Sequence, residues 1–160
     1  MIGDQICNWK NDHMPKIYID ADACPVKEEV YKVAIRNEIE VVVVSNGGIR
    51  PHQHPLITFR VVSDGLDVAD DWILDNIKLK DLLITSDIPL AAKCIKNGAN
   101  IIKPDGKILD SSNIGSVLAT RNLMTDFRSA NPFLKGTGKK FSNLDRSNFL
   151  NILESEISKI

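Results

Sequence analysis

IYIDADACPV, residues 17–26, compresses a strand, an acidic turn and a helix start into one short stretch. Ile17-Tyr18-Ile19 is an apolar run of strand character, ended by Asp20 and Asp22. Pro25 suits the first turn of a helix, where its missing N–H costs nothing. Val26, Val30, Val33 and Ala34 then recur at helical spacing, which predicts a helix to about Asn37. The same alternation continues outward. Glu40 to Ser45 is almost wholly β-branched, as expected for a strand buried on both faces, and Asn46-Gly47-Gly48 closes it. Ile57 to Ser63 reads as a third strand. Asp67 to about Ile77 reads as a helix with Val68, Ala69, Trp72, Ile73 and Ile77 on its apolar side. Leu82 to Thr85 is a fourth strand, Pro89 opens a helix that Gly98 stops, and Asn100 to Lys103 is a fifth strand. Strands alternating with helices over short links give an α/β fold with a mainly parallel sheet and right-handed crossovers. One link, from the second strand to the third, is only a loop, and the sequence leaves open an antiparallel return or a short turn of helix.

The pattern changes after Pro104-Asp105-Gly106. Ser112 to about Ser129 and Ser142 to Lys159 read as helices, the second opened by Ser142 and Asp145 in capping-box spacing. A basic loop, Lys135 to Lys140, separates them. Residues 1–14, mostly polar and unpatterned, are expected to be a disordered extension or expression remnant. The expected domain is then single and spans 15–160, with a helical C-terminal part from about 111 to 160.

Composition excludes several classes. The chain has 160 residues, 43% hydrophobic, with 20 Lys plus Arg against 21 Asp plus Glu. Apolar content of this kind argues against disorder. The net charge of −1 excludes gripping nucleic acid through bulk positive charge alone. Runs such as Val41-Val42-Val43-Val44 fall far short of the roughly 20 apolar residues a membrane helix needs. Cys7, Cys24 and Cys94 form no CxxC pair, so free thiols in a reducing, cytoplasmic setting are expected.

Carboxylates recur where strands end. Asp20 and Asp22 follow the first strand, Asp87 follows the fourth, and Asp67, Asp70 and Asp71 gather at the helix start between them. In an open parallel sheet the carboxyl ends of the strands frame the ligand crevice, and helix N-termini point to the same edge. Converging carboxylates raise one another's pKa unless a cation neutralises them. Mg²⁺ or Mn²⁺ suits an all-oxygen donor set and, at such a site, polarises phosphate and activates water. The bland alternative is helix capping, a role that Asp22 and Asp67 each fit by position.

The strings IYIDADACPV (17–26), VVSDGLDVADDWI (61–73), DLLITSDIPLAAKCIKNGA (81–99), LATRNLMTDFR (118–128) and FSNLDRSNFL (141–150) closely resemble the bacterial YaiI/YqxD family, also called DUF188 or UPF0178. That family is similar to the PIN-like nucleases, especially the NYN branch. The resemblance implies a PIN-like three-layer fold and a divalent-metal nuclease site. By that likeness Asp20 is the first ligand, Asp67 and Asp71 (or Asp70) form the second set, and Asp87 is the third, with Asp22 a further carboxylate. NYN proteins commonly carry an Asn shortly after the first Asp; here that neighbour is Asp22.

Other constellations are weaker. Asp20-Ala-Asp22 also fits the start of a dehalogenase-type phosphatase with Asp20 as nucleophile. That fold needs its paired acids after the Ser/Thr strand, whereas Asp70-Asp71 precede it. The Gly136–Lys140 loop lacks the first Gly and the preceding strand of a P-loop. His52 and His54 have no third ligand nearby and read as surface residues. Cys24 sits at a helix start, where a thiol pKa falls, but reads as a buried bystander. Trp72 reads as core.

Charge is unevenly distributed. Over residues 103–146, eight Lys/Arg face four Asp and no Glu, leaving that segment at +4. Arg121 and Arg128 are two helical turns apart, and with Lys139, Lys140 and Arg146 they are the expected nucleic-acid contacts. The sequence thus predicts a Mg²⁺- or Mn²⁺-dependent phosphodiesterase acting on RNA. An inactive module binding RNA or protein, and a small-molecule phosphatase, are the alternatives.

Overall fold

The structure, a computed structural model, describes residues 14–65, 67–130 and 140–160. The N-terminal stretch ahead of Met14, and the loop with Lys139, lie outside the described residues. Among the described residues six strands form one sheet in the order β3-β2-β1-β4-β5-β6. They are β1 (Ile17–Asp20), β2 (Val41–Ser45), β3 (Ile57–Val61), β4 (Leu82–Ile84), β5 (Asn100–Ile102) and β6 (Ile108–Leu109). The first five run parallel and β6 is antiparallel to β5. Five helices accompany them: α1 (Lys27–Arg36), α2 (Val68–Asn76), α3 (Ile88–Lys96), α4 (Ile114–Ala130) and α5 (Asn143–Ile157).

Successive strand residues point to opposite faces, so each strand feeds two cores. Ile17, Ile19, Val41, Val43, Leu82 and Ile84 pack beneath α1 and α5, where Phe149 and Leu153 are fully buried. Tyr18, Val42, Val44, Leu83 and Ile101 pack beneath α2, α3 and the first turns of α4. The result is three layers, α/β/α. Every residue of β2 is buried, as its unbroken β-branched run requires.

Several boundaries differ from the sequence reading. A 3-10 turn (Ala21–Ala23) follows β1 and α1 starts only at Lys27, so Pro25 precedes the helix instead of opening it. The β2–β3 link is a parallel crossover made without a helix: Ile49 packs onto the α1 face, and the His52 ring lies 5.0 Å from that of Tyr31. Strand β6 was not foreseen. Pro104-Asp105-Gly106 turns the chain back, with the Gly106 N–H donating to the Lys103 carbonyl at 2.9 Å and the Lys103 N–H donating to the Lys107 carbonyl at 2.8 Å. At the opposite, N-terminal end of the strands, the fully buried Asp81 accepts from the Lys16 and Lys78 backbone N–H groups, both at 2.9 Å. The capping box at α5 is present: Ser142 Oγ accepts from the Asp145 N–H, and Asp145 accepts from the Ser142 N–H. No helix among the described residues is long and apolar enough to cross a membrane.

Candidate functional site

Strands β1 and β4 are neighbours at the centre of the sheet, and the chain leaves them toward opposite edges. This is the switch point at which open α/β sheets leave a crevice beyond the strand ends. Asp20, the last residue of β1, is half-buried there. The buried Thr85, just past β4, donates its hydroxyl to Asp20 Oδ2 at 3.0 Å. The same Thr85 Oγ1 accepts from the Asp87 N–H at 3.0 Å, tying the ends of β1 and β4 together. Asp87 in turn caps α3, its Oδ1 accepting from the Leu90 N–H at 3.1 Å. Asp20, Asp22, Asp70, Ser86, Asp87 and Arg121 line a cleft of about 340 Å³. Four carboxylates and one guanidinium therefore come from five separate segments.

The electrostatics of the cleft follow from that crowding. Burial raises the Asp20 carboxyl above its ordinary value; the charges of Asp22 and Asp87 add to the rise, and the Thr85 hydrogen bond opposes it. Asp70 is pushed up to about 7, first by burial, then by Asp87 and Asp20, by its hydrogen bond with Asp87, and last by Asp67. Closely spaced carboxylates raise one another's proton affinity, which a bound cation would relieve.

The other acidic residues singled out in the sequence are placed differently. Asp67 sits at the N-cap position of α2 with a left-handed φ of 63° and makes no side-chain cap bond. It is exposed, and it reaches the cleft only through its charge on Asp70. Asp71 is exposed and does not line the cleft; its N–H donates to the Asp67 carbonyl. Asp70 is thus the α2 carboxylate brought to the strand ends. The capping role fits neither Asp22 nor Asp67, since Val26 holds the N-cap position of α1 and Asp67 makes no cap bond. Among the described residues no group of three or more His, Cys, Asp or Glu side chains is placed so that it could hold a metal ion as it stands; the carboxylates border an open cleft.

Of the cations, Arg121 reaches the cleft, which its helical spacing alone did not reveal. Arg128 lies exposed further along α4, and Lys140 is exposed ahead of α5. Arg146 stands on the other face of the sheet, stacked over Phe141 at 5.3 Å and paired with Glu29. Thr85 is the residue sequence reasoning missed in this role; its signal was a strand-end hydroxyl two positions before Asp87. Cys24 is buried and its thiol is pushed up to about 11, chiefly by burial, so the helix-start effect does not prevail. His54 Nδ1 accepts from the Leu56 N–H, a turn role, and Trp72 is partly buried beside Tyr18 with Arg60 over its ring.

An open, mainly parallel α/β/α sheet with an acidic crevice at its switch point defines the class of the molecule. The profile described as "Uncharacterized BCR, YaiI/YqxD family" (DUF188) matches residues 18–159, and the chain belongs to that family. A UPF0178 protein of Cereibacter sphaeroides is 53% identical over 146 residues, covering 91% of this chain and 90% of the relative. Another from Roseobacter denitrificans is 53% identical, covering 91% and 97%. One from Rhodopseudomonas palustris is 52% identical over 149 residues, covering 93% and 94%. No solved structure matches the chain.

Proposed function

We propose that the chain is a metal-dependent phosphodiesterase of PIN-like type that cuts RNA. The observation that carries this reading is the convergence of Asp20, Asp22, Asp70 and Asp87 at the switch-point crevice, with Arg121 on its rim. By its chemistry the donor set suits Mg²⁺ or Mn²⁺: it is all carboxylate oxygen, hard, and crowded enough that the Asp70 carboxyl is pushed up to about 7. Asp20, Asp70 and Asp87 would hold the ion, with Asp22 beside them and Asp67 and Asp71 adding negative potential from the start of α2. A bound divalent ion supplies Lewis-acid polarisation of a phosphate oxygen and lowers the pKa of water. The protein's own contribution is positional. Thr85 fixes the Asp20 carboxylate, the α3 N-cap fixes Asp87, and Arg121 offers the phosphodiester a charge-assisted donor pair. Attack of water on phosphorus breaks the P–O ester bond, and the leaving oxygen takes a proton.

The deciding experiment incubates the protein with mixed-sequence RNA, with Mn²⁺ or with EDTA, beside Asp20→Asn and Asp87→Asn variants. Asn preserves the α3 cap and removes only charge. Cutting that needs Mn²⁺ and disappears in both variants supports the nuclease. Binding without cutting favours an inactive module. Hydrolysis of a small phosphomonoester, lost in Asp20→Asn, favours the phosphatase.

A further inference from the structure

The crevice has a second lobe. Ser86, which lines the acidic cleft, also lines a groove of about 330 Å³ with Pro25, Lys103, Pro104, Phe141 and Asp145. The acidic cleft is bordered by α2 and α4 on one face of the sheet; this groove is bordered by the start of α5 on the other face. The two lobes therefore meet over the carboxyl ends of β1 and β4. Their chemistry differs. The second lobe offers an aromatic ring, two prolines, a half-buried lysine and the carboxylates of Asp105 and Asp145, in a volume near the roughly 300 Å³ at which small-ligand pockets begin.

The polar groups of this lobe are held in place. Lys103 Nζ lies 3.8 Å from Asp105, a loose pair that leaves ammonium donors to spare. Asp145 is engaged by the Ser142 N–H at 3.0 Å. The Arg146 guanidinium stacks on the Phe141 ring at 5.3 Å, donates to the Pro25 carbonyl at 3.4 Å and pairs with Glu29, so the ring is fixed before any ligand arrives. A fixed aromatic side chain beside a cation is the arrangement on which unpaired nucleobases stack.

We propose that this groove is a nucleobase subsite: a base next to the phosphate in the acidic cleft stacks on Phe141, with Lys103 on its flanking phosphate, so the substrate is single-stranded RNA. The proposal rests on the phosphodiesterase reading for the identity of the neighbouring cleft. A base within a duplex is paired and stacked, and cannot cross the strand-end edge from one lobe to the other. Arg121 on one side and Lys103 on the other then direct the strand across the crevice instead of along either face.

The test uses the full chain carrying Asp87→Asn, with Mn²⁺ present to neutralise the acidic cleft, so that binding is read without cutting. Fluorescence anisotropy compares a labelled unstructured eight-nucleotide RNA with a blunt duplex of equal length. The single strand is expected to bind at least tenfold tighter. Phe141→Leu keeps an apolar filler but removes the stacking face; it is expected to weaken single-strand binding about five- to twentyfold, leave duplex binding unchanged, and be rescued by Phe141→Trp. Thermal melting of each variant separates misfolding from lost contact. Unchanged single-strand affinity in a folded Phe141→Leu chain overturns the subsite, as does equal binding of duplex. If wild type cuts RNA with Mn²⁺ but Phe141→Leu binds normally, the subsite falls and the nuclease stands. If the Phe141 effect appears without any cutting, the subsite stands and the nuclease falls.

Discussion

Replacing Asp70 by Asn should make the metal-free protein more stable at pH 8 and by a smaller amount at pH 5. The carboxyl rises from 3.8 to about 7 in the folded state. Each tenfold change in proton affinity is 1.36 kcal/mol, so full ionisation costs the fold at most about 4 kcal/mol. Asp70 is half-buried and water reaches it, which reduces that bound to about 1.5–2 kcal/mol. Loss of a negative charge in the first turn of α2 returns about 0.5 kcal/mol, leaving a net gain of about 1 kcal/mol. The sign follows from proton binding. Between 3.8 and 7 the folded state holds more protons than the unfolded one, so wild-type stability falls as pH rises through that window and levels off above it. The Asn side chain does not titrate, and its amide carries no charge to be buried or repelled. For a chain of this length the gain is about 2–4 °C in thermal midpoint. Thermal denaturation in EDTA at pH 5 and pH 8 reads it directly. A variant less stable than wild type at pH 8, or equally advantaged at both pH values, would refute the account in which burial and neighbouring carboxylates raise the Asp70 carboxyl.

Three further outcomes are expected. Asp81→Ala removes the buried acceptor of the Lys16 and Lys78 N–H groups and should cost about 2–4 kcal/mol in urea unfolding, with Asp81→Asn losing roughly half as much; a loss under 1 kcal/mol would contradict a buried structural carboxylate. Gly106 has φ 93°, and a Cβ there would lie 2.9 Å from the backbone of Asn148 and Phe149, so Gly106→Ala should cost about 2–4 kcal/mol, and a neutral result would contradict the close approach of this turn to α5. Cys24 and Cys94, pushed up to about 11 and about 12 chiefly by burial, should alkylate at pH 8 on the order of a hundredfold more slowly than an exposed thiol, as read by peptide mass spectrometry; rapid labelling of either in the folded chain would show that burial does not hold its proton.

The alternation of strands and helices was legible because β-branched runs and helical periodicity are local properties. The parallel order follows from them once crossovers are right-handed. The β2–β3 link was not legible, because loop and helix crossovers span the same gap and the choice depends on what covers β3. Strand β6 escaped notice because two residues carry no periodicity; its existence depends on the Gly106 turn. At the cleft, residue types were readable but rotation was not. Asp70 and Asp71 are adjacent in sequence and point about 100° apart on a helix, so only the packing of α2 through Ala69 and Ile73 selects Asp70. Thr85 and Ser86 lack any charge pattern that would mark them, yet one ties Asp20 to Asp87 and the other joins the two lobes.

The last helix closes a core that the first strand opens. Phe149 and Leu153 seal the face under α1, against strands from the opposite end of the chain. Such distant pairings form slowly, because the loop must close before burial repays it. Until α5 docks, the parts of α1 and β5 that it covers are open to water, and the groove lacks Phe141 and Asp145. The acid cleft can assemble with the sheet, but the aromatic groove exists only in the finished molecule. An RNA strand spanning both lobes would therefore bind the completed fold alone, and its occupancy would report how much of the protein has reached that state.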